Sequence, residues 1–339
     1  MHQVRRASRR VRARRRHRPD DVRRQASRGS MMALLGYLIR RVFRAITTLL
    51  GTTLILFVLV RVVPANPAVS IAGPKADPET LAAIRKDLGL DDPLAVQYGR
   101  YLERLVHGDL GRSYLTGRRV TEAIGERLPA TAKLGLTALA VGFFLGLLIG
   151  IVTAARQGSA ADIGVLIATL VGLSIPTFWL GNVLIYFFGY RLRWLPLGGA
   201  GALRHLVLPA ATLAIVELFF YARFVHTNVG GTLASDYIRT ARAKGVPPLR
   251  LYFVHALRNA LIPVVTLLGL DVAALMSGVT LTETVFNWPG LGRLAVQSVF
   301  QLDIPVLAGT VLFSAALVLV ANLVVDLLYG VIDPRVRHG

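Results

Sequence analysis

The sequence predicts an all-α membrane protein with six transmembrane helices and a small extracytoplasmic domain between the first and the second. Three observations predict it. The 339 residues are 54% apolar and only 17% charged, whereas a soluble domain is about 45–50% apolar and about 25% charged. The charges also desert long stretches: between Thr131 and Ala155 only Lys133 ionises, and between Ile304 and Val325 nothing does. Crossing a hydrocarbon core takes roughly 20 apolar residues in a helix. These runs are continuous rather than alternating, which argues against barrel strands. Lone strands are excluded because lipid offers backbone groups no water to bond.

The elements follow in order. Residues 1–32 form an Arg-rich extension, with twelve arginines between Arg5 and Arg28. Such a block repels itself and has almost nothing apolar to bury, so it reads as a disordered arm. A start at Met31 or Met32 is an alternative, as is attraction to anionic lipid. The formal charge of +20 invites a nucleic-acid reading, but its concentration in this arm argues against one. No short apolar core with a small-residue cleavage site follows the arm, so a signal peptide is not expected.

The first transmembrane helix occupies 33–63 and stops at Pro64-Ala65-Asn66-Pro67. The extracytoplasmic domain, 64–129, carries cations nearly matched by acids and helical pieces at 78–88 and 93–107. A five-helix core covers 130–331. Its first span, 130–155, has Gly142, Gly146 and Gly150 on one face, where a neighbouring helix can approach closely. Pro176, two residues after Ser174, kinks the span predicted at 163–188. Further spans are expected at 206–229, 260–281 and 305–329, with a basic loop at 230–259 and a tail at 332–339. Loops rich in Arg and Lys stay in the cytoplasm. Arg40, Arg41 and Arg44, the 230–259 loop, and Arg335 with Arg337 are therefore all placed inside. Both termini are expected to be cytoplasmic, and Arg191, Arg193 and Arg204 then violate the rule on the outer side.

Cysteine is absent, which excludes disulfides, thiol nucleophiles and cysteine-ligated metal centres. No Gly-rich loop ends in Gly-Lys-Ser/Thr, so the chain is not expected to hydrolyse ATP. His205, His226 and His255 have no carboxylate or cysteine at ligand spacing, which disfavours metal. Ser174 has no histidine predicted at its depth to activate it. Carboxylates inside a membrane suggest function by default. Glu217 and Asp271 are therefore candidates for a translocation pathway that meets the ammonium end of a passing peptide. Hydrogen bonding between helices, pairing with Arg223 and a proton relay remain open for both.

Four blocks of sequence carry a resemblance. The first is Arg61–Pro67 with Leu88-Gly89-Leu90-Asp91-Asp92-Pro93-Leu94, Gln97-Tyr98 and Gly108-Asp109-Leu110-Gly111-Arg112-Ser113. The second is Arg127-Leu128-Pro129-Ala130-Thr131. The third joins Tyr237-Ile238-Arg239-Thr240-Ala241-Arg242-Ala243-Lys244-Gly245 to His255-Ala256-Leu257-Arg258-Asn259-Ala260-Leu261-Ile262-Pro263. The fourth is Glu283-Thr284-Val285-Phe286-Asn287-Trp288-Pro289-Gly290-Leu291-Gly292-Arg293, with Asn322-Leu323 and 326–335 beyond it. In this order they resemble the inner-membrane permease subunits of binding-protein-dependent ABC importers, specifically the dipeptide/oligopeptide type, which includes nickel and glutathione carriers.

The resemblance implies the six-helix fold of type I ABC importers in a bacterial inner membrane. It implies a cargo of di- or oligopeptides, with nickel, glutathione or haem as alternatives. The third block, Asp236 through Gly245, is similar to the loop whose short helix docks in a groove of the ATPase. Its ends suit a helix, since Ser235 or Asp236 can cap the start while Gly245, Pro247 and Pro248 end it. A glutamate of the general importer motif falls near Arg239; arginine is common in the peptide branch. Asn66 (replacing the usual aspartate), Asp109 and Arg112 are expected to face the receptor. The implied partners are a homologous second permease subunit, two cytoplasmic ATPase subunits that hold ATP and magnesium, an extracytoplasmic substrate-binding protein and the lipid bilayer. No cofactor is implied on this chain. A proton-coupled secondary peptide carrier using Glu217 and Asp271 is the alternative of another class, and a signalling or scaffold subunit is a third.

Overall fold

The apolar runs close into helices because each backbone N–H and C=O then finds its partner inside the segment. The structure, a computed structural model, describes residues 19–62, 76–87, 89–276 and 279–332. Its helices are α1 (Pro19–Val62), α2 (Pro78–Asp87), α3 (Leu94–Val106), α4 (Val120–Ala155), α5 (Ala160–Ser174), α6 (Thr177–Leu184), α7 (Arg204–Leu233), α8 (Asp236–Ala243), α9 (Leu257–Met276), α10 (Thr280–Val285), α11 (Leu291–Phe300) and α12 (Ile304–Ile332). Wide π-helical turns extend α6 over Ile185–Arg191 and precede α9 over Leu251–Ala256. Among the described residues five helices are long and apolar enough to cross a membrane, and six if the bent pair α5–α6 counts as one broken span.

The chain divides into two units, residues 1–48 with 326–339 and residues 49–325. The candidate sites lie in the second.

Three boundaries differ from the sequence reading. Residues 19–32, expected without structure, are helical and continuous with the first span; extending a formed helix is cheap, and Arg and Ala are good helix formers. Residues 120–129, assigned to the extracytoplasmic domain, are the first turns of α4. Pro129 is tolerated inside α4, as Pro209 is inside α7 and Pro263 inside α9. The predicted kink at Pro176 is a full break: α5 and the α6 segment meet at 97°. Proline's ring pushes the residue before it out of the helical region, and Ile175 is extended at φ −77°, ψ 123°. Of the other expectations, 1–18, 63–75 with Asn66, and 333–339 lie outside the described residues.

The glycine face organises the bundle. A Cβ on Gly142 would stand 2.5 Å from Glu217 Cβ, on Gly146 2.7 Å from Leu218 O, and on Gly150 2.7 Å from Ala222 O. Without side chains there, α4 and α7 pack backbone to backbone. Leu139, Phe143, Tyr221, Val225, Ala260 and Val264 then form a buried core shared by α4, α7 and α9. Opposite faces carry exposed Phe144, Leu148, Ile163 and Ile167, as expected where lipid is the solvent.

Between the first two spans lie α2 and α3. Asp77 caps α2 by accepting from the Thr80 amide at 2.6 Å and the Thr80 hydroxyl at 2.9 Å, and these bonds hold its carboxyl below the usual range. α3 leans on the first span through Tyr98, whose hydroxyl lies 2.9 Å from Thr53 Oγ1 and whose ring meets Phe57 at 5.3 Å.

Candidate functional site

The 230–259 segment folds around one anchor. α8 is eight residues long and takes up most of the 236–245 block. Ile238 is fully buried and packs with Leu251 and Ala256, with Leu233, Ala241 and Val246 around them. Burying a side chain of this size contributes roughly 1.5–3 kcal/mol. Ser235 stands extended at the start, but its hydroxyl donates to Thr232 O at 2.5 Å and caps no helix N–H. Instead, the Arg239 amide bonds Ser235 O at 3.1 Å. At the far end Gly245 takes φ +75°, and the Gly245 and Val246 amides bond Arg242 O and Ala241 O at 3.0 and 3.3 Å. This left-handed closure suits glycine and stops the helix sharply.

Two side chains strap this unit to the next span. Asn259 Nδ2 donates to Tyr237 Oη at 3.1 Å, and the Tyr237 hydroxyl donates to His255 O at 3.3 Å. Asp236, Tyr237, Arg239, Thr240, Arg242, Ala243, Lys244 and Gly245 remain exposed, and Ala241 is half-buried. Arg239 meets Asp236 at 3.4 Å, a surface pair worth little. A short basic helix with one buried foot and two fixed ends is thus presented outward.

Glu217 and Asp271 come together at mid-bundle, on α7 and α9. Asp271 accepts a hydrogen bond from Tyr221, whose ring is buried against Phe143 at 5.0 Å. This is the interhelical bonding left open for Asp271. Arg223 is exposed and forms no ion pair with either carboxylate. Glu217 is half-buried where α7 faces Gly142.

The receptor-facing candidates sit on an ordered loop before α4. Asp109 Oδ1 accepts from the Gly111 amide at 2.9 Å, and Arg112 donates to Gly117 O at 3.2 Å. Both are exposed. The loop is moored by Asp303, almost fully buried at the foot of α12, which accepts from Ser113 Oγ at 2.5 Å and the Tyr114 amide at 3.1 Å.

A second clasp lies at the same end of the bundle. Glu283 of α10 is fully buried. Its carboxylate accepts from Thr131 Oγ1 at 2.7 Å and from the Arg293 amide at 3.0 Å, while Thr131 accepts from the Leu291 amide at 2.8 Å. The acid therefore sits at the N-terminus of α11, where unpaired amides and the helix dipole favour an anion. Trp288 Nε1 completes the clasp by donating to Ala130 O at 2.9 Å.

The family described as binding-protein-dependent transport system inner membrane component matches residues 146–338. Its companion N-terminal membrane component matches residues 34–135. The chain belongs to this family. Among relatives, the permease is 39% identical over 334 residues to a di/tripeptide transport system permease protein of Pseudomonas aeruginosa (strain UCBPP-PA14), covering 90% of this chain and 99% of that one. It is 41% identical over 306 residues to a glutathione transport system permease protein of Salmonella paratyphi A, covering 90% and 100%. Its fold resembles inward-facing structures of the MetNI methionine ABC transporter, with a TM-score of 0.53 at 19% identity over 62% of this chain and 96% of that one.

Sequence reasoning missed three polar devices in the permease. Glu283 and Asp303 had no assigned role, although Glu283 begins the fourth block of resemblance; their partners stand 152 and 190 residues away. Asp162 and His226 were not paired. His226 Nε2 lies 2.8 Å from Asp162 Oδ1, largely buried between α5 and α7; the imidazole edge is not aimed along a hydrogen bond, so the contact is ionic when His226 is protonated. Asp162 also accepts from the Gly158 amide at 2.9 Å.

Proposed function

We propose that the permease forms half of the translocation pathway of an ATP-driven importer for di- or oligopeptides. A homologous permease subunit supplies the other half, since six helices enclose little. Two cytoplasmic ATPase subunits hydrolyse the ATP with their own magnesium, and an extracytoplasmic binding protein delivers cargo. The protein resides in a bacterial inner membrane with both termini in the cytoplasm. The peptide cargo is supported by the named relatives, one a di/tripeptide permease and the other a permease for glutathione, itself a tripeptide.

The observation that carries this reading is α8. Coupling an ATPase to a membrane bundle requires a lever that transmits displacement instead of absorbing it. α8 has a fully buried foot at Ile238, a hydrogen-bonded stop at Gly245 and a strap through Tyr237 to Asn259. Its exposed Arg239, Arg242 and Lys244 are available to an ATPase groove. When the ATPases close on ATP, α8 moves as a body and carries α7 and the π turn before α9 with it. The cavity then alternates between its inward- and outward-open forms. Glu217 lines the pathway and meets the peptide ammonium group, with Asp271 beside it held by Tyr221. Asn66, Asp109 and Arg112 face the binding protein.

Reconstitution with both ATPases, the second permease and the binding protein tests this. Dipeptide uptake is expected to continue with ATP after the proton gradient is collapsed. Loss of uptake under that condition, with ATP intact, refutes the ABC reading in favour of a secondary carrier. Gly245→Val is expected to reduce uptake while ATP hydrolysis continues.

A further inference from the structure

The third span ends in a rigid aromatic and cationic turn for which peptide transport supplies no role. The helix widens over Ile185–Arg191, a deviation that often marks function. The turn after it is hydrogen-bonded throughout: Leu192 N–H donates to Phe187 O at 2.9 Å, Trp194 N–H to Phe188 O at 3.0 Å and Leu195 N–H to Phe188 O at 3.3 Å. Between them Arg193 is held at φ 55°, a conformation that non-glycine residues rarely adopt. The point from which its side chain leaves the backbone is therefore fixed.

The chemistry of this turn has two parts. Tyr186, Phe187, Tyr190 and Trp194 are all about half exposed or more, with Trp194 at 67%, and Tyr186 stacks on Tyr190 at 6.0 Å. Amphipathic rings at the end of a span belong at headgroup depth. Beside them Arg191 and Arg193 are exposed and have no ion-pair partner among the described residues. None can come from nearby sequence, because no Asp or Glu occurs between Asp162 and Glu217. With 230–259 in the cytoplasm, as proposed above, these cations lie outside, where short loops ordinarily lack them.

We infer that Arg191 and Arg193 form a binding site for the phosphate of an anionic phospholipid headgroup, with Tyr190 and Trp194 packing on the same lipid. Guanidinium groups engage phosphate through paired N–H donors, and the rings cover the glycerol and upper acyl region. An anionic lipid thereby supplies the charge that the sequence withholds. The loop that carries the bound lipid also reaches α10. The Gly199 amide donates to Phe286 O at 2.8 Å, and a Cβ on Gly198 would meet that same oxygen at 2.5 Å. The loop is thus laid directly on the residue that follows α10, next to the Glu283 clasp.

Tryptophan quenching in the assembled transporter tests the site. The complex is placed in phosphatidylcholine vesicles containing either brominated phosphatidylglycerol or brominated phosphatidylcholine at equal amount. The Trp194→Phe variant is subtracted to isolate Trp194. Stronger quenching by the phosphatidylglycerol probe is expected, with the preference weakening as salt rises. The Arg191→Gln/Arg193→Gln variant is expected to lose the preference and Arg191→Lys/Arg193→Lys to keep part of it. Equal quenching by the two lipids in the unaltered protein overturns the inference, and so does a preference that survives the glutamine variant. If the glutamine variant instead loses stimulation by the binding protein in vesicles free of anionic lipid, the arginines serve that protein's acidic face and the lipid site is refuted. Lipid quenching requires no peptide transport, so it succeeds or fails independently of the proposed cargo.

Discussion

Glu283 shows how one side chain holds α10 against α4 and α11. A fully buried carboxylate is tolerable only when its oxygens are satisfied, and here the Thr131 hydroxyl and the Arg293 amide satisfy them. Truncation orphans both donors, each at about 1–3 kcal/mol. Glu283→Ala is therefore expected to lower the thermal unfolding midpoint of the purified permease more than Glu283→Gln, which keeps one acceptor oxygen and most of the volume. Thr131→Val should fall between them, since it removes one hydroxyl that serves two bonds. An equal midpoint for Glu283→Ala and the unaltered protein contradicts this account. The neighbouring Gly290 belongs to the same device, for a Cβ there would stand 2.1 Å from Glu283 Oε1.

At the level of elements, helix pairing is governed by how closely backbones approach. The α4–α7 contact depends on glycines that leave no room for a methyl group, whereas Gly164 on α5 has nothing within 4 Å. Gly146→Ala is expected to cost about 1–3 kcal/mol through overpacking. Gly164→Ala should be neutral or slightly stabilising, because alanine is the better helix former. Thermal melts of the two variants in the same detergent check this, and equal effects would contradict it. The break at Pro176 operates at this scale too. By turning α5 away from α6 it creates an open apolar concavity lined by Leu170, Val171, Ile175, Phe178 and Trp179, and places the aromatic turn at the end of the span.

For the whole molecule, the bundle is fastened differently at its two ends. One end has two buried carboxylate clasps, Glu283–Thr131 and Asp303–Ser113. The other has the Asp162–His226 contact and Tyr252, whose hydroxyl donates to Ile151 O at 2.6 Å. The two ends share no partners, so substitutions at opposite ends should add. Thr131→Val combined with Asp162→Asn is expected to lower stability by the sum of the single effects within about 0.5 kcal/mol. Ser113→Ala with Asp303→Ala should fall clearly short of additivity, because both remove the same bond. Chemical denaturation of singles and doubles measures this, and strong coupling between the two ends would show that the clasps do not act separately.

The amino-acid sequence alone determined the helical membrane class, the apolar runs that form the long helices, the close-packed glycine face of α4 and the family, because each rests on local composition or on ordered short blocks. The basic 236–245 segment was legible for the same reason: a helix start, charges and a terminal glycine lie within ten residues. Only the tertiary structure decided that Ser235 caps nothing, that the third span breaks outright, and that Asp271 is bonded to Tyr221 fifty residues away. It also decided the partners of Glu283, Asp303 and Asp162. The physical reason is that a buried polar group is stabilised by whichever donor packing brings within about 3 Å, and that proximity is a property of the fold with no local trace along the chain.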